Sequence, residues 1–287
     1  MFVVIGKSGQ LARELHAENK NGIFLGRNEI DITSFKSLSK CLDNYEPNVV
    51  INASAYTNVE KAEEEKENAF NINSKAVSNI AKYCFNKGIR LVHISTDFVF
   101  NGKKGSPYKV FDKPDPINIY GASKLKGELE IKHAMPCNYS IVRTSWVYSK
   151  FGENFVKKII ELMEKRSEIR VISNQFGSPT YAKDLAKFII KVSNSEKIKP
   201  IYHWSDVGEV SWFDFATEIY AKSIDIGLIT NATKIIPINS SSFKTKAKRP
   251  AYSVLHSDEE DRHHWKENLS QMLKDLKKCK KNTHKNL

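Results

Sequence analysis

The chain has 287 residues, of which 40% are hydrophobic, and carries a formal charge of +12. That length holds one large or two modest domains with a sizeable core, and no apolar run approaches the roughly 18–20 residues of a membrane span. The four cysteines, Cys41, Cys84, Cys137 and Cys279, are scattered without a C-x-x-C pair, which excludes a disulfide framework and a zinc ribbon.

The first residues, Met1 to Gly6, have no basic leader and run straight into a glycine turn, so they read as a buried strand and not as a signal peptide. With reduced thiols, this predicts a cytoplasmic protein. Residues 10–19 have a helical pattern, 22–26 form a second apolar run, 34–44 a second helix and 49–53 a third run. A long amphipathic stretch follows, in which Phe70, Ile72, Ala76, Val77, Ile80, Ala81 and Cys84 fall near helical spacing. Residues 90–94 are the fourth run. Continuous apolar runs alternating with helices predict a parallel sheet covered on both faces, a doubly wound, Rossmann-like α/β fold.

The second half continues with a strand at 143–148, an amphipathic helix at 153–166 and a short strand at 170–172. Thr180 is read as the start of a further helix, 201–204 as a strand, Ser211 as a helix cap and 239–249 as a loop. The basic stretch 274–281 is read as a solvated, fraying terminus. No aromatic residues interleave it, so neither nucleic acid nor membrane is expected as a partner.

The first strand–helix turn carries Gly6-Lys7-Ser8-Gly9-Gln10-Leu11-Ala12, a G-x-x-G-x-x-A string. Gly6 permits the tight turn, Gly9 lets backbone N–H groups approach a pyrophosphate, and Ala12 lets the helix pack closely. Ser8, Gln10 and Leu11 are assigned to the cofactor with this turn. After the second run an acidic residue would hold adenosine ribose hydroxyls, but this chain has Leu25-Gly26-Arg27-Asn28. Arg27 either pairs with a 2′-phosphate, favouring NADPH over NADH, or is an ordinary surface arginine. Asp31 and Ile32 either flank the adenine, or Asp31 or Thr33 caps the next helix. Ala53, Ala55, Tyr56 and Thr57 follow the third strand, where small residues leave room for a cofactor.

Tyr120 and Lys124 stand at i and i+4 of a helical stretch, about 5–6 Å apart at Cβ. A lysine ammonium there favours the phenolate, so the Tyr120 pKa is expected to fall and suit general acid–base work. Thr96 and Asp97, at the end of the fourth strand, either face the same crevice or form a helix cap or turn.

Taken together, G-x-x-G-Q-L, N-A-S-A-Y-T, S-T-D-F-V-F-x-G and Y-G-A-S-K resemble the extended short-chain dehydrogenase/reductases acting on nucleotide sugars, most of all the dTDP-4-dehydrorhamnose reductase family. Arg143 to Tyr148, Asn154-Phe155, Gln175 to Thr180 and Arg249-Pro250 extend the resemblance over residues 1 to 255. It implies NAD(P)H-dependent reduction of a 4-keto-6-deoxy nucleotide sugar, with dTDP-L-rhamnose as the expected product. Tyr120 would protonate the oxygen at carbon 4, Lys124 would hold the nicotinamide ribose and Thr96 would bond the reacting oxygen. Asp97, Trp146, Asn154 and Arg249 would bind substrate, with the Trp146 indole offering a flat face and Arg249 pairing with the diphosphate. It further implies a cofactor domain of 1–147 plus about 177–208 and a smaller α/β substrate domain of about 148–176 plus 209–287. A homodimer fits the resemblance. Glu14 matches a family position associated with magnesium, but one carboxylate makes no metal site and none is expected. An epimerase or dehydratase of the same superfamily, and a non-catalytic cofactor-binding regulatory subunit, are the alternatives.

Overall fold

Short β-branched runs become strands here because helices bury them from both sides. The computed structural model describes residues 1–284. In chain order, β1 (Phe2–Ile5), α1 (Gln10–Glu18), β2 (Ile23–Leu25), α2 (Phe35–Asp43) and β3 (Val49–Asn52) lead into the short helices α3 (Val59–Ala62) and α4 (Lys66–Phe70). A π-helical turn, Asn71–Lys75, joins α4 to α5 (Ala76–Asn86), followed by β4 (Arg90–Thr96) and α6 (Ile119–Ala134). Next come β5 (Tyr139–Thr144), β6 (Val147–Tyr148), α7 (Phe155–Lys165), β7 (Glu168–Ile172), β8 (Phe176–Gly177), β9 (Thr180–Tyr181) and α8 (Ala182–Asn194). The chain finishes with β10 (Ile201–His203), β11 (Val210–Ser211), α9 (Trp212–Asp225), β12 (Lys234–Ile238) and α10 (Trp265–His284).

Six strands form one parallel sheet in the order β10-β5-β4-β3-β1-β2. Neighbouring residues of each strand serve opposite faces. Val3, Val50, Leu91 and Ile141 meet α2, α5 and α6, whereas Val4, Ile51, Val92 and Val142 meet α1 and α8. The chain leaves β1 in one direction for β2 and returns to its other side for β3. A crevice therefore opens at the carboxyl ends of β1 and β3, where such sheets bind ligands.

A separate apolar cluster joins α7, α9 and α10 around Ile159, Met163, Phe215, Ile219, Trp265 and Leu269. Here three expectations need correction. The basic stretch 274–281 belongs to helix α10 and is only partly solvated: Leu269, Met272, Leu273 and Leu276 of α10 are buried in this cluster, while Lys274 and Lys278 face outward. Thr180 does not start a helix. It pairs with Val147 in a short parallel ladder, and α8 begins at Ala182. The strand expected across 143–148 breaks at Trp146, whose φ of 46° is left-handed, so β6 leaves the main sheet. Among the described residues, no helix is long and apolar enough to cross a membrane.

Candidate active site

The carboxyl ends of β1, β2 and β3 surround a cleft of about 400 Å³ lined by Gly6, Ser8, Gly9, Arg27, Asp31, Ile32, Ala53, Ala55 and Thr57. Gly6 has φ +112°, and a Cβ on it would sit 3.0 Å from the Ala53 carbonyl, so both turn and close approach require glycine. Gly9 caps α1 without a side-chain hydrogen bond and faces open space. The first N–H groups of α1 thus remain available for a phosphate, and this end of the helix fits one. Arg27 is exposed at the rim. Glu29 is the nearby acid, but its carboxylate accepts from Lys7 Nζ at 2.6 Å and from the Gly26 N–H at 2.9 Å.

Three residues expected at the cofactor have their side chains engaged elsewhere. The Leu11 side chain is in the core against α8. Gln10 accepts a hydrogen bond from Asn154 at 2.9 Å. The Tyr56 hydroxyl donates to Glu65 at 3.0 Å. Asp31 lines the cleft but accepts from the N–H and hydroxyl of Thr33, closing its own turn, and α2 is capped by Ser34.

Thr96 ends β4 beside Tyr120 of α6. Its hydroxyl oxygen accepts from the Phe98 N–H at 3.2 Å, and its proton goes to Asp97 at 3.0 Å. The Tyr120 ring packs edge-on against Phe98, 5.7 Å between centroids. Burial pushes the Tyr120 phenol up to about 12; a hydrogen bond with Thr96 works against this and the Asp97 charge adds to it. Burial likewise raises Asp97 to about 6 and lowers the Lys124 amine to about 8, against the pull of Glu128. The Tyr120 phenol is therefore raised and not depressed, contrary to the expectation drawn from the Lys124 charge. The Lys124 amine does not lie on the phenol: it donates to the Ile94 carbonyl at 2.6 Å and meets His93 Nε2 at 3.3 Å. The phenol thus carries its proton at neutral pH, as a proton donor in the reductive direction must.

Helix α6 is built for close approach. It buries Gly121, Ser123, Lys124, Gly127 and Glu128 along with Ile131, mostly small and polar residues. A Cβ at Gly121 would lie 2.1 Å from the Phe98 carbonyl oxygen, and one at Gly127 2.1 Å from that of Asn73. Asn73 sits in the π-helical turn, a distortion frequent at functional sites. Its amide holds both the N–H and the carbonyl of Tyr56 and donates to Ser123 at 3.0 Å. Further along, Glu128 and Arg143 form a fully buried fork, with bonds of 2.9 and 2.6 Å, and the Ser95 hydroxyl adds a third at 2.6 Å. Asn73, His93, Glu128 and Arg143 were not singled out as site-building residues; a polar side chain amid a buried strand run, as at His93, was the available signal. Gly127→Ala is expected to lower stability by about 1–3 kcal/mol, because backbone and not a flexible side chain must yield. Urea unfolding checks this; an unchanged midpoint would contradict the tight approach.

The second cleft, about 700 Å³, lies between α7, β7, β12 and the loop before Arg249. Phe155, Lys158, Arg166, Arg170, Gln175, Trp212 and Arg249 line it. Arg249 is there as expected, paired with Glu60 at 2.5 Å. Trp146 does not offer its face to this cleft. Its indole stacks on Trp212, 3.3 Å between centroids and 7° between planes, and Gly177 abuts it so closely that a Cβ would come within 2.6 Å. Asn154 is likewise committed: it caps α7 by accepting from Lys157 N–H and donates to Gln10 and to the Ser149 carbonyl. Glu14 is buried and accepts from Ser149 at 2.6 Å, and burial raises its pKa. Among the described residues, no group of three His, Cys, Asp or Glu could hold a metal ion.

Comparison with known proteins agrees with this architecture. A family model described as the RmlD substrate binding domain matches residues 1–278. The dTDP-4-dehydrorhamnose reductase of Sinorhizobium fredii is 36% identical over 270 residues, covering 91% of this chain and 90% of that protein. The spore coat polysaccharide biosynthesis protein SpsK of Bacillus subtilis is 39% identical over 282 residues, covering 95% and 96%. A crystal structure of dTDP-4-dehydrorhamnose reductase from Bacillus anthracis in complex with NADP superimposes with a TM-score of 0.90 at 35% identity, covering 96% of this chain and 98% of that one. The family model spans nearly the whole chain, and the fold superimposes over 96% of it, so the chain belongs to the dTDP-4-dehydrorhamnose reductase family.

Proposed function

We propose that the protein reduces the 4-keto group of a 6-deoxy nucleotide sugar with NADPH, converting dTDP-4-dehydro-L-rhamnose to dTDP-L-rhamnose. The observation that carries this reading is the placement of Tyr120 beside Thr96 at the carboxyl end of β4, next in the sheet to β3, whose carboxyl end lines the glycine-turn cleft. Bound NADPH supplies the hydride that reduces carbon 4. Tyr120 gives its proton to the oxygen at carbon 4 as negative charge develops there. Thr96 turns its hydroxyl from Asp97 to that same oxygen, a donor aimed where charge forms. Lys124, released from the Ile94 carbonyl, holds the nicotinamide ribose. In the larger cleft Trp212 and Phe155 offer aromatic surface to the base, and Arg249 and Arg170 offer charge to the diphosphate.

The division into a cofactor domain, 1–147 plus about 177–208, and a substrate domain, about 148–176 plus 209–287, belongs to this reading. The apolar cluster of α7, α9 and α10 supports it.

The test is NADPH oxidation against a panel of 4-keto nucleotide sugars. Steady consumption with the dTDP-linked 4-keto-6-deoxy sugar is expected. Tightly retained oxidised cofactor with no net consumption would instead favour an epimerase. For cofactor choice, Arg27→Ala is expected to weaken NADPH binding about tenfold or more while sparing NADH, since a charge-assisted contact is worth about 1.5–3 kcal/mol. Fluorescence titration decides this, and equal losses for both cofactors would reject a 2′-phosphate role.

A further inference from the structure

Beneath the active site a chain of buried polar groups runs from the β3 end to the catalytic lysine. The Asn52 Oδ1 accepts from the Ser54 N–H at 3.1 Å and from the Ser54 hydroxyl at 2.7 Å. Both partners are donors there, so the orientation of the Asn52 amide is set. Its NH₂ group must face His93 Nδ1, which lies 3.1 Å away. That nitrogen is therefore an acceptor, and a neutral imidazole with Nδ1 bare carries its proton on Nε2. His93 is completely buried, and burial holds its pKa well below the ordinary value. The Nε2 side faces Lys124 Nζ at 3.3 Å, and the same amine donates to the Ile94 carbonyl at 2.6 Å.

An ammonium has three donors and no acceptor. Against an Nε2–H it would leave two donors facing each other. A neutral amine has a lone pair for the Nε2–H, one hydrogen for Ile94 and one left for the cofactor side. We infer that His93, locked by Asn52 as the tautomer with its proton on Nε2, is a positioning residue that favours the uncharged form of Lys124 in the cofactor-free protein.

The other charges around Lys124 do not overturn this. Glu128, one turn along α6, favours the ammonium, but Arg143 of β5 and the Ser95 hydroxyl of β4 occupy its carboxylate. Asp97 lies beyond Thr96. From α3, Glu63 accepts from the Ile119 N–H at the start of α6. The π-helical turn presents the neutral Asn73 to Ser123, Lys75 and the charged residues of α4 are exposed, and Ser78 of α5 bonds Glu130. The consequence for turnover rests on the proposed reductase reading: the lysine takes up a proton from solvent as it moves to the ribose. The ionisation state itself does not depend on that reading.

The test uses the full chain without cofactor or substrate. Lysine labelled at Cε is followed by NMR from about pH 6 to about pH 11, with Lys124→Arg identifying the signal. A midpoint near about 8 is expected in the parent. Asn52→Asp accepts from Ser54 and from His93 alike, so it moves the ring proton to Nδ1 and turns a lone pair toward Lys124. It should raise the midpoint by about one pH unit or more, and most of that rise should vanish in a His93→Leu background. An equal rise in both backgrounds would mean the added charge acts without the ring, and would overturn the inference. So would a parent midpoint at the ordinary lysine value of about 10.4. Should Asn52→Asp fail to fold, the ring-nitrogen signals of His93 in the parent decide alone. A bare Nδ1 and a protonated Nε2 support the inference, and the reverse ends it. No step uses substrate, so a protein that proved not to be a reductase would leave these readings intact.

Discussion

Tyr120→Phe is expected to fold normally, to bind NADPH and to lose about 10²–10⁴-fold of its turnover. Phenylalanine keeps the ring that packs edge-on against Phe98, so the local packing should stand. Only the hydroxyl goes, and with it the Thr96 partner and the proton for the oxygen at carbon 4. Lys124→Met should fail differently, losing cofactor affinity together with rate. The two residues act as a unit, so the double variant should be scarcely worse than the worse single one. Single-turnover kinetics beside cofactor titration separates these outcomes. Near-parental turnover by Tyr120→Phe would remove the phenol from the chemistry.

Arg143→Met is expected to cost about 3–5 kcal/mol of stability, because it strands the Glu128 carboxylate in the core with only the Ser95 hydroxyl as its partner. The side chains of the pair are 1% and 0% exposed, so solvent screens little of that loss. Replacing both members, Arg143→Met with Glu128→Leu, should recover much of it, since no charge is then left unpaired. The single variant should also lose turnover, because Glu128 lies one turn from Lys124 on the helix that carries Tyr120. Urea unfolding of the three proteins measures this cycle. A single-variant loss under about 1 kcal/mol would mean that the fork does not hold α6 in place.

The parts of the site that depend on spacing were legible in the sequence. Gly6, Gly9 and Ala12 announce a strand, a phosphate-ready turn and a closely packed helix, and each stands where that logic puts it. The i, i+4 rule also correctly placed Tyr120 and Lys124 on one helix. It speaks for Cβ atoms, however, and not for the end of a long side chain. Lys124 reaches back to Ile94 and His93, whose partnership depends on Asn52 in another strand. Trp146 read as strand because its neighbours are β-formers, and a left-handed residue of that size leaves no local signal. The π-helical turn at Asn73 was hidden for the same reason, since tertiary bonds to Tyr56 and Ser123 support it. The end of the chain was a different kind of miss. Trp265, Leu269, Met272, Leu273 and Leu276 keep helical spacing, but the lysines between them drew attention to charge.

Isotope transfer tests the central claim most directly. With NADPH deuterated at its transferable hydrogen and the dTDP-linked 4-keto-6-deoxy sugar as substrate, one deuterium should appear at carbon 4 of the product for each NADPH consumed. Deuterium at another carbon, or product formed without deuterium, would contradict reduction of the 4-keto group at this site.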